Sequence, residues 1–172
     1  GALRHVNSAL KIFPDDEHAL NEKAQVLGRL GREDEAIKLF DELIEKCGHD
    51  DAFFVNKGFI LMKKKMYNKA LECFDRALSH NPNIVPALNN KGAILLQKNE
   101  PEKAIECFDR TLKIHKNNFF ATLHKGNAYT LLGKDRLSGI FHRRASKIDP
   151  TEYASYVLHA LAGKSFSHGE NR

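Results

Sequence analysis

The chain has 172 residues, 42% of them apolar and 28% charged, with a formal charge of +5. That balance suits a packed protein and excludes a disordered one, and no apolar run approaches the ~20 residues of a membrane span. The three cysteines form no C-x-x-C pair, which predicts a reducing, cytoplasmic setting with Cys73 and Cys107 as small buried fillers.

A helical stripe opens the chain: Ala2, Leu3, Val6, Ala9 and Leu10 share a face that Pro14 closes. Arg4, His5, Asn7 and Ser8 interrupt any apolar core of the signal-peptide type. A 34-residue step then sets in, through Ala36, Ala70, Ala104 and Ser138. Phe40, Phe74 and Phe108 keep the same step with His142 in fourth place, and Ala24, Gly58, Gly92 and Gly126 form a third column. Within 51–84, Phe54, Gly58 and Leu61 mark one helix face, and Lys64, Lys65 and Asn68 a turn. Ala70, Leu71, Phe74, Ala77 and Leu78 mark a second helix, stopped at His80-Asn81-Pro82. The next period repeats this through Leu88, Gly92 and Leu95, a break at Lys98–Pro101, and then Ala104, Ile105, Phe108, Thr111 and Leu112. Pro101 suits the opening of a helix, where its missing N–H is no loss. Tyr153 to Leu161 reads as a last helix without a partner. No alternating apolar pattern with hairpin chemistry occurs, so strands are not expected.

A period of this size predicts a stack of like helical hairpins, none able to bury its stripe alone. Glycine inside a helix costs ~1 kcal/mol against alanine, so its recurrence at one register predicts close packing. Gly58, Gly92 and Gly126 are expected to face Ala70, Ala104 and Ser138, with the phenylalanine column filling the space between neighbouring hairpins.

These columns resemble the tetratricopeptide repeat family. Its large residue is matched by Leu20, Phe54 and Leu88 and weakens to Thr122; its tyrosine place holds Leu27, Leu61, Leu95 and Tyr129. The closing proline is Pro14, Pro82 and Pro150, with Gly48 and Lys116 in the two remaining places. The resemblance implies an all-α, right-handed superhelical solenoid of stacked antiparallel helical hairpins, whose first helices line a concave, peptide-binding groove. The expected division is 1–14 as the second helix of a truncated repeat, 17–50, 51–84 and 85–118 as three repeats, and 119–152 as a degenerate fourth. Residues 153–172 are then a capping helix or partial repeat and tail, and the whole is expected to be a segment of a longer array. Two departures stand out. Lys23, Lys57, Lys91 and Lys125 replace the family's leucine, in reach of acids such as Asp41, Asp75 and Asp109. Ser138, Gly139 and His142 weaken the fourth repeat, whose second helix is expected to pack less well and move more.

For the groove, Val55, Phe59 and Met62 form an apolar stripe beside the core-facing one, continued by Leu96, Phe120, Leu123 and Leu131. Asn21, Gln25, Asn56, Asn89, Asn90 and Asn127 are its polar members, and an amide can donate to and accept from a peptide backbone at once. The alternative is that these side chains pack against adjacent first helices or under the last helix. Some relatives hold C-terminal carboxylates with a lysine, asparagine and arginine clamp. Asn56 and Asn90 resemble its middle asparagine, but Asn21, Gln25, Pro86 and Asn90 stand where its other members belong.

The expected partner is a protein or peptide, with self-association through the terminal helices as the second reading, since Leu3, Val6 and Leu10 form an uncovered stripe. Basic clusters at Lys63-Lys64-Lys65 and Arg143-Arg144 read as solvated surface, which disfavours nucleic acid. No metal-ligand spacing, nucleophile elbow or complete phosphate loop occurs. Gly163-Lys164-Ser165 follows Leu158 where the loop's leading glycine belongs. The chain is therefore expected to be no enzyme and to carry no cofactor.

Overall fold

The computed structural model describes residues 1–48 and 50–167, with side chains described as far as Leu161, His49 apart. The end of the expected tail, 168–172, lies outside the described residues. Those residues form ten helices and no strand: α1 (Ala2–Ile12), α2 (Glu17–Arg29), α3 (Glu33–Cys47), α4 (Asp51–Lys63), α5 (Tyr67–His80), α6 (Val85–Gln97), α7 (Pro101–Ile114), α8 (Phe119–Leu131), α9 (Asp135–Ile148) and α10 (Pro150–Ser167).

The chain's own punctuation sets these boundaries. Asp16, Asp50 and Asn118 accept hydrogen bonds from backbone N–H groups in the first turns of α2, α4 and α8, satisfying donors with no partner inside the helix. Pro101 opens α7 as expected. The first helices end in one motif. The N–H groups of Arg32, Met66, Glu100 and Lys134 donate to the carbonyls of Leu27, Leu61, Leu95 and Tyr129. The residue before each donor, Gly31, Lys65, Asn99 or Gly133, has φ between 59° and 78°. This is the left-handed helix stop that favours glycine, and it too recurs at every 34th residue.

The chain divides into two compact units, Gly1–Ile94 and Leu95–Arg172. In the first, α2 pairs with α3 and α4 with α5, while α1 packs on α2 and α3 on α4. One core cluster gathers Ala24, Leu27, Ala36, Phe40, Leu43, Phe53 and Ile60. Another joins Leu61, Ala70, Cys73, Phe74 and Leu78 to Ala87, Leu88 and Ile94. Phe40 and Phe74 thus link residues of neighbouring hairpins. In the second unit α8 pairs with α9, α7 packs on α8 and α10 on α9. Its cluster is Leu95, Ala104, Cys107, Phe108 and Ala121.

The glycine expectation needs correction. A Cβ on Gly58 would come within 2.8 Å of the Phe74 ring, and one on Gly126 within 3.1 Å of the His142 ring. The nearest neighbours of these glycines are the rings of the aromatic column, not Ala70 and Ser138. The glycine makes room for a flat ring inside its own hairpin, which a methyl group would displace.

The lysine column is paired. Lys57 donates to Asp41, Lys91 to Asp75 at 2.5 Å and Lys125 to Asp109, each reaching back 16 residues to the preceding second helix. The place before Lys23 holds Asn7, which has no charge to offer. The aspartates are exposed enough that each pair contributes little to stability. Lys125 is the most enclosed, with its ammonium 4.6 Å from the Phe141 ring centre.

Candidate ligand-binding face

In the first unit, α2 and α4 lie side by side and their amides interlock. Asn21 Oδ1 accepts from Gln25 Nε2 at 3.3 Å and from Asn56 Nδ2 at 3.1 Å. Both lone pairs of that oxygen are used. Asn21 Nδ2, Gln25 Oε1 and Asn56 Oδ1 enter none of these bonds and are suited to a main chain lying across the two helices.

Beyond this triad a cavity of about 140 Å³ opens between the two helices, lined by Gln25, Gly28 and Arg29 of α2 and by Asn56, Phe59, Ile60 and Lys63 of α4. Gly28 lets the Ile60 side chain lie close to its backbone, since a Cβ there would come within 2.8 Å of Ile60 Cδ1. Its carbonyl accepts from Lys63 Nζ at 3.1 Å, with Glu33 Oε1 3.8 Å from the same ammonium. Phe59 is 47% exposed, uncommon for a phenylalanine in a folded chain.

The other members of the face divide by burial. Val55 and Met62 are half-buried and pack on the Phe74 cluster. Asn89 and Asn90 are half-buried on α6. In the second unit, Leu96 and Phe120 pack on the Phe108 cluster. Leu123, placed with the groove by its spacing, is 4% exposed and belongs to the interior. Asn127 Oδ1 accepts from Tyr156 Oη at 2.8 Å, so α10 covers it; Leu131 is exposed.

Two histidines of the second unit lie among aromatic rings, and the sequence marked only one of them. His124 lies against Phe120, ring centres 4.1 Å apart, and burial lowers its pKa to about 4. His142 is flanked by Tyr153 and Tyr156, and its Nδ1 is buried with no hydrogen-bond partner among the described residues. Burial lowers its pKa too. The signal for His142 was its place in the phenylalanine column; His124 had none. Arg29 was also missed, because a cation in the last turn of a helix is an ordinary complement to the helix dipole.

Residues 52–84 and 85–118 match a family model described as tetratricopeptide repeat, and residues 1–51 match a second of the same description. The chain belongs to the tetratricopeptide repeat family. It is accordingly a protein-interaction scaffold. It is similar to Hsp70-Hsp90 organizing protein 2 of Arabidopsis thaliana, 33% identical over 86 residues, and to Hsp70-Hsp90 organizing protein 3 of the same plant, 31% over 81. These matches cover 48% and 47% of this chain and 14% of each relative, so the chain spans a small part of their length. Among solved structures it resembles MamA, with TM-score 0.77, 20% identity and 88% and 89% of the two chains covered. A tetratricopeptide repeat protein from Parabacteroides merdae ATCC 43184 gives TM-score 0.77 at 19% identity, over 95% of this chain and 66% of that one. A thermophilic tetratricopeptide repeat protein of Thermus thermophilus gives 0.74 at 20%, over 91% and 89%. At such identities the likeness bears on the fold alone. Among the described residues no helix is long and apolar enough to cross a membrane.

Proposed function

We propose that the chain is a non-enzymatic, cytoplasmic interaction module whose first helices bind an extended peptide or a partner helix. The observation that carries this reading is the amide triad of Asn21, Gln25 and Asn56 beside the exposed Phe59 ring. Amides offer paired donors and acceptors to a backbone, and an exposed ring next to a cavity offers a side chain a dry contact. Asn90, Val55 and Met62 extend the same face in the first unit. Leu96 is the equivalent of Met62 one repeat on, and Phe120 is a further apolar residue in the second unit. The printed names of the plant relatives tie them to Hsp70 and Hsp90. Here Asn21 and Pro86 stand where a carboxylate clamp needs lysines, so a chaperone tail is not the ligand we propose. Peptide pull-down with Phe59→Glu and Asn90→Ala tests the reading: both are expected to weaken capture, and unchanged capture by both would defeat it.

A second reading is self-association. The stripe expected to lie uncovered is not open, since Val6 is buried and Leu3 packs on the Phe40 cluster. The exposed apolar residues are Ile12 and Phe13, 71% and 65% exposed at the end of α1, and Leu158 and Leu161, 67% and 59% exposed on α10. Apolar side chains presented this way favour contact between copies. Light scattering across concentration separates the two readings, and a strict monomer counts against this one.

A further inference from the structure

The cavity between α2 and α4 carries more information than the face around it. Pockets for small-molecule ligands run to about 300–1,000 Å³. At about 140 Å³ this one suits a single side chain. Its walls are apolar where Phe59 and Ile60 meet, and its rim carries two cations, Arg29 and Lys63, the second with Glu33 Oε1 3.8 Å away. Arg29 and Lys63 occupy the same place in successive repeats, the last residue of α2 and of α4. Lys63 is held over the cavity by the Gly28 carbonyl. Arg29 is exposed, and among the described residues no carboxylate of the chain forms an ion pair with it. A helix dipole explains one cation at each helix end. It does not explain an exposed phenylalanine beside both of them. The chain's positive charge adds a long-range attraction for an acidic partner.

We propose that this cavity takes one aliphatic side chain of an acidic peptide, and that Arg29, assisted by Lys63, pairs with the side-chain carboxylate of an Asp or Glu adjacent to it. The proposal rests on the peptide-binding reading above and names the chemistry of the ligand. Arg29 presents a fork that matches a carboxylate, Asn56 and Gln25 hold the main chain, and Phe59 covers the aliphatic group.

The probe is a set of fluorescent, C-terminally amidated peptides of about a dozen residues, each carrying a Leu-Glu-Glu core in randomised neutral flanks. Matched sets carry Leu→Ser, Glu→Gln or Glu→Lys. Fluorescence polarisation with the full chain is expected to show members of the Leu-Glu-Glu set binding, and roughly tenfold loss on Leu→Ser, the scale of burying one aliphatic side chain, or on Glu→Gln, the scale of one charge-assisted hydrogen bond. Arg29→Gln is expected to weaken the Leu-Glu-Glu set, and Arg29→Glu to shift preference toward the Lys set. Thermal melts of both variants confirm that this exposed site has not unfolded the chain. Equal affinity for Glu and Gln peptides, both lost with Asn56→Ala, would leave peptide binding standing and overturn the acidic preference. Binding that appears only when the C-terminus is a free carboxylate would overturn it too. If no peptide of any set binds the unaltered chain, this proposal and the reading beneath it both fall.

Discussion

Helices α5 and α9 hold the same place in their repeats and are built from different chemistry. α5 buries Ala70, Cys73, Phe74, Ala77 and Leu78; α9 buries only Ser138 and Ala145. Phe74 is fully buried on Gly58, whereas His142, on Gly126, keeps a buried ring nitrogen without a partner. What α9 lacks in apolar contact it replaces in part with polar and aromatic contacts. Ser138 and Thr130 share a 2.7 Å hydroxyl hydrogen bond, and Tyr129 and Phe141 flank the Lys125 ammonium. Turns and small residues therefore hold the backbone register, while the filling of the hairpin can drift. α9 pairs with α8 as closely as α5 does with α4, but buries fewer of its own side chains.

The largest effect is expected from the well-filled hairpin. Phe74→Ala should cost about 3–5 kcal/mol in chemical denaturation, and His142→Ala clearly less. Equal losses would erase the distinction between the two helices. Acid should act the other way, on the second unit. His124 and His142 have pKa values lowered by burial, so between the two states it is the unfolded chain that binds more protons as pH falls. Both stabilising contributions are complete above the unfolded value of about 6.5 and are lost as pH falls, that of His124 progressively down to about 4. For His124 this amounts to roughly 3 kcal/mol. Melts at stepped pH should show it, and a curve left unaltered by His124→Leu would refute the assignment. His142→Phe should stabilise by about 1–2 kcal/mol, because it restores the column's ring and removes an unsatisfied nitrogen. A loss of stability would mean that the imidazole is a better fit than it looks. Smallest is the turn at Lys65, left-handed like that at Gly133. Lys65→Gly should raise stability by about 0.5–1 kcal/mol, while Gly133→Lys should lower it by a similar amount.

Much of the architecture was legible because it is periodic. The helix pairs, their breaks, the opening proline of α7 and the reach of Lys57, Lys91 and Lys125 toward aspartates all follow from columns in register. The partner of each glycine was not legible. Two columns, Ala70 and Phe74, lie on the same face of α5, and spacing alone does not say which one meets Gly58. Whether Asn127 lies open or under the last helix was undecided in the sequence for a related reason. Tyr156 reaches it from 29 residues away, outside the period, so no column announced the contact. Leu123 and Phe120 differ by less than one helical turn, and only packing decides that the first is interior and the second half-buried. The cavity was invisible because Arg29 and Lys63 look like ordinary helix-end cations until Phe59 is seen beside them.

Chemical-shift mapping of the isotope-labelled chain, titrated with a tight-binding member of the Leu-Glu-Glu peptides, tests the central claim most directly. The account predicts saturable shifts concentrated at Gln25, Arg29, Asn56, Phe59 and Lys63. Shifts gathered instead on the second helices, or on α9 and α10, would contradict it.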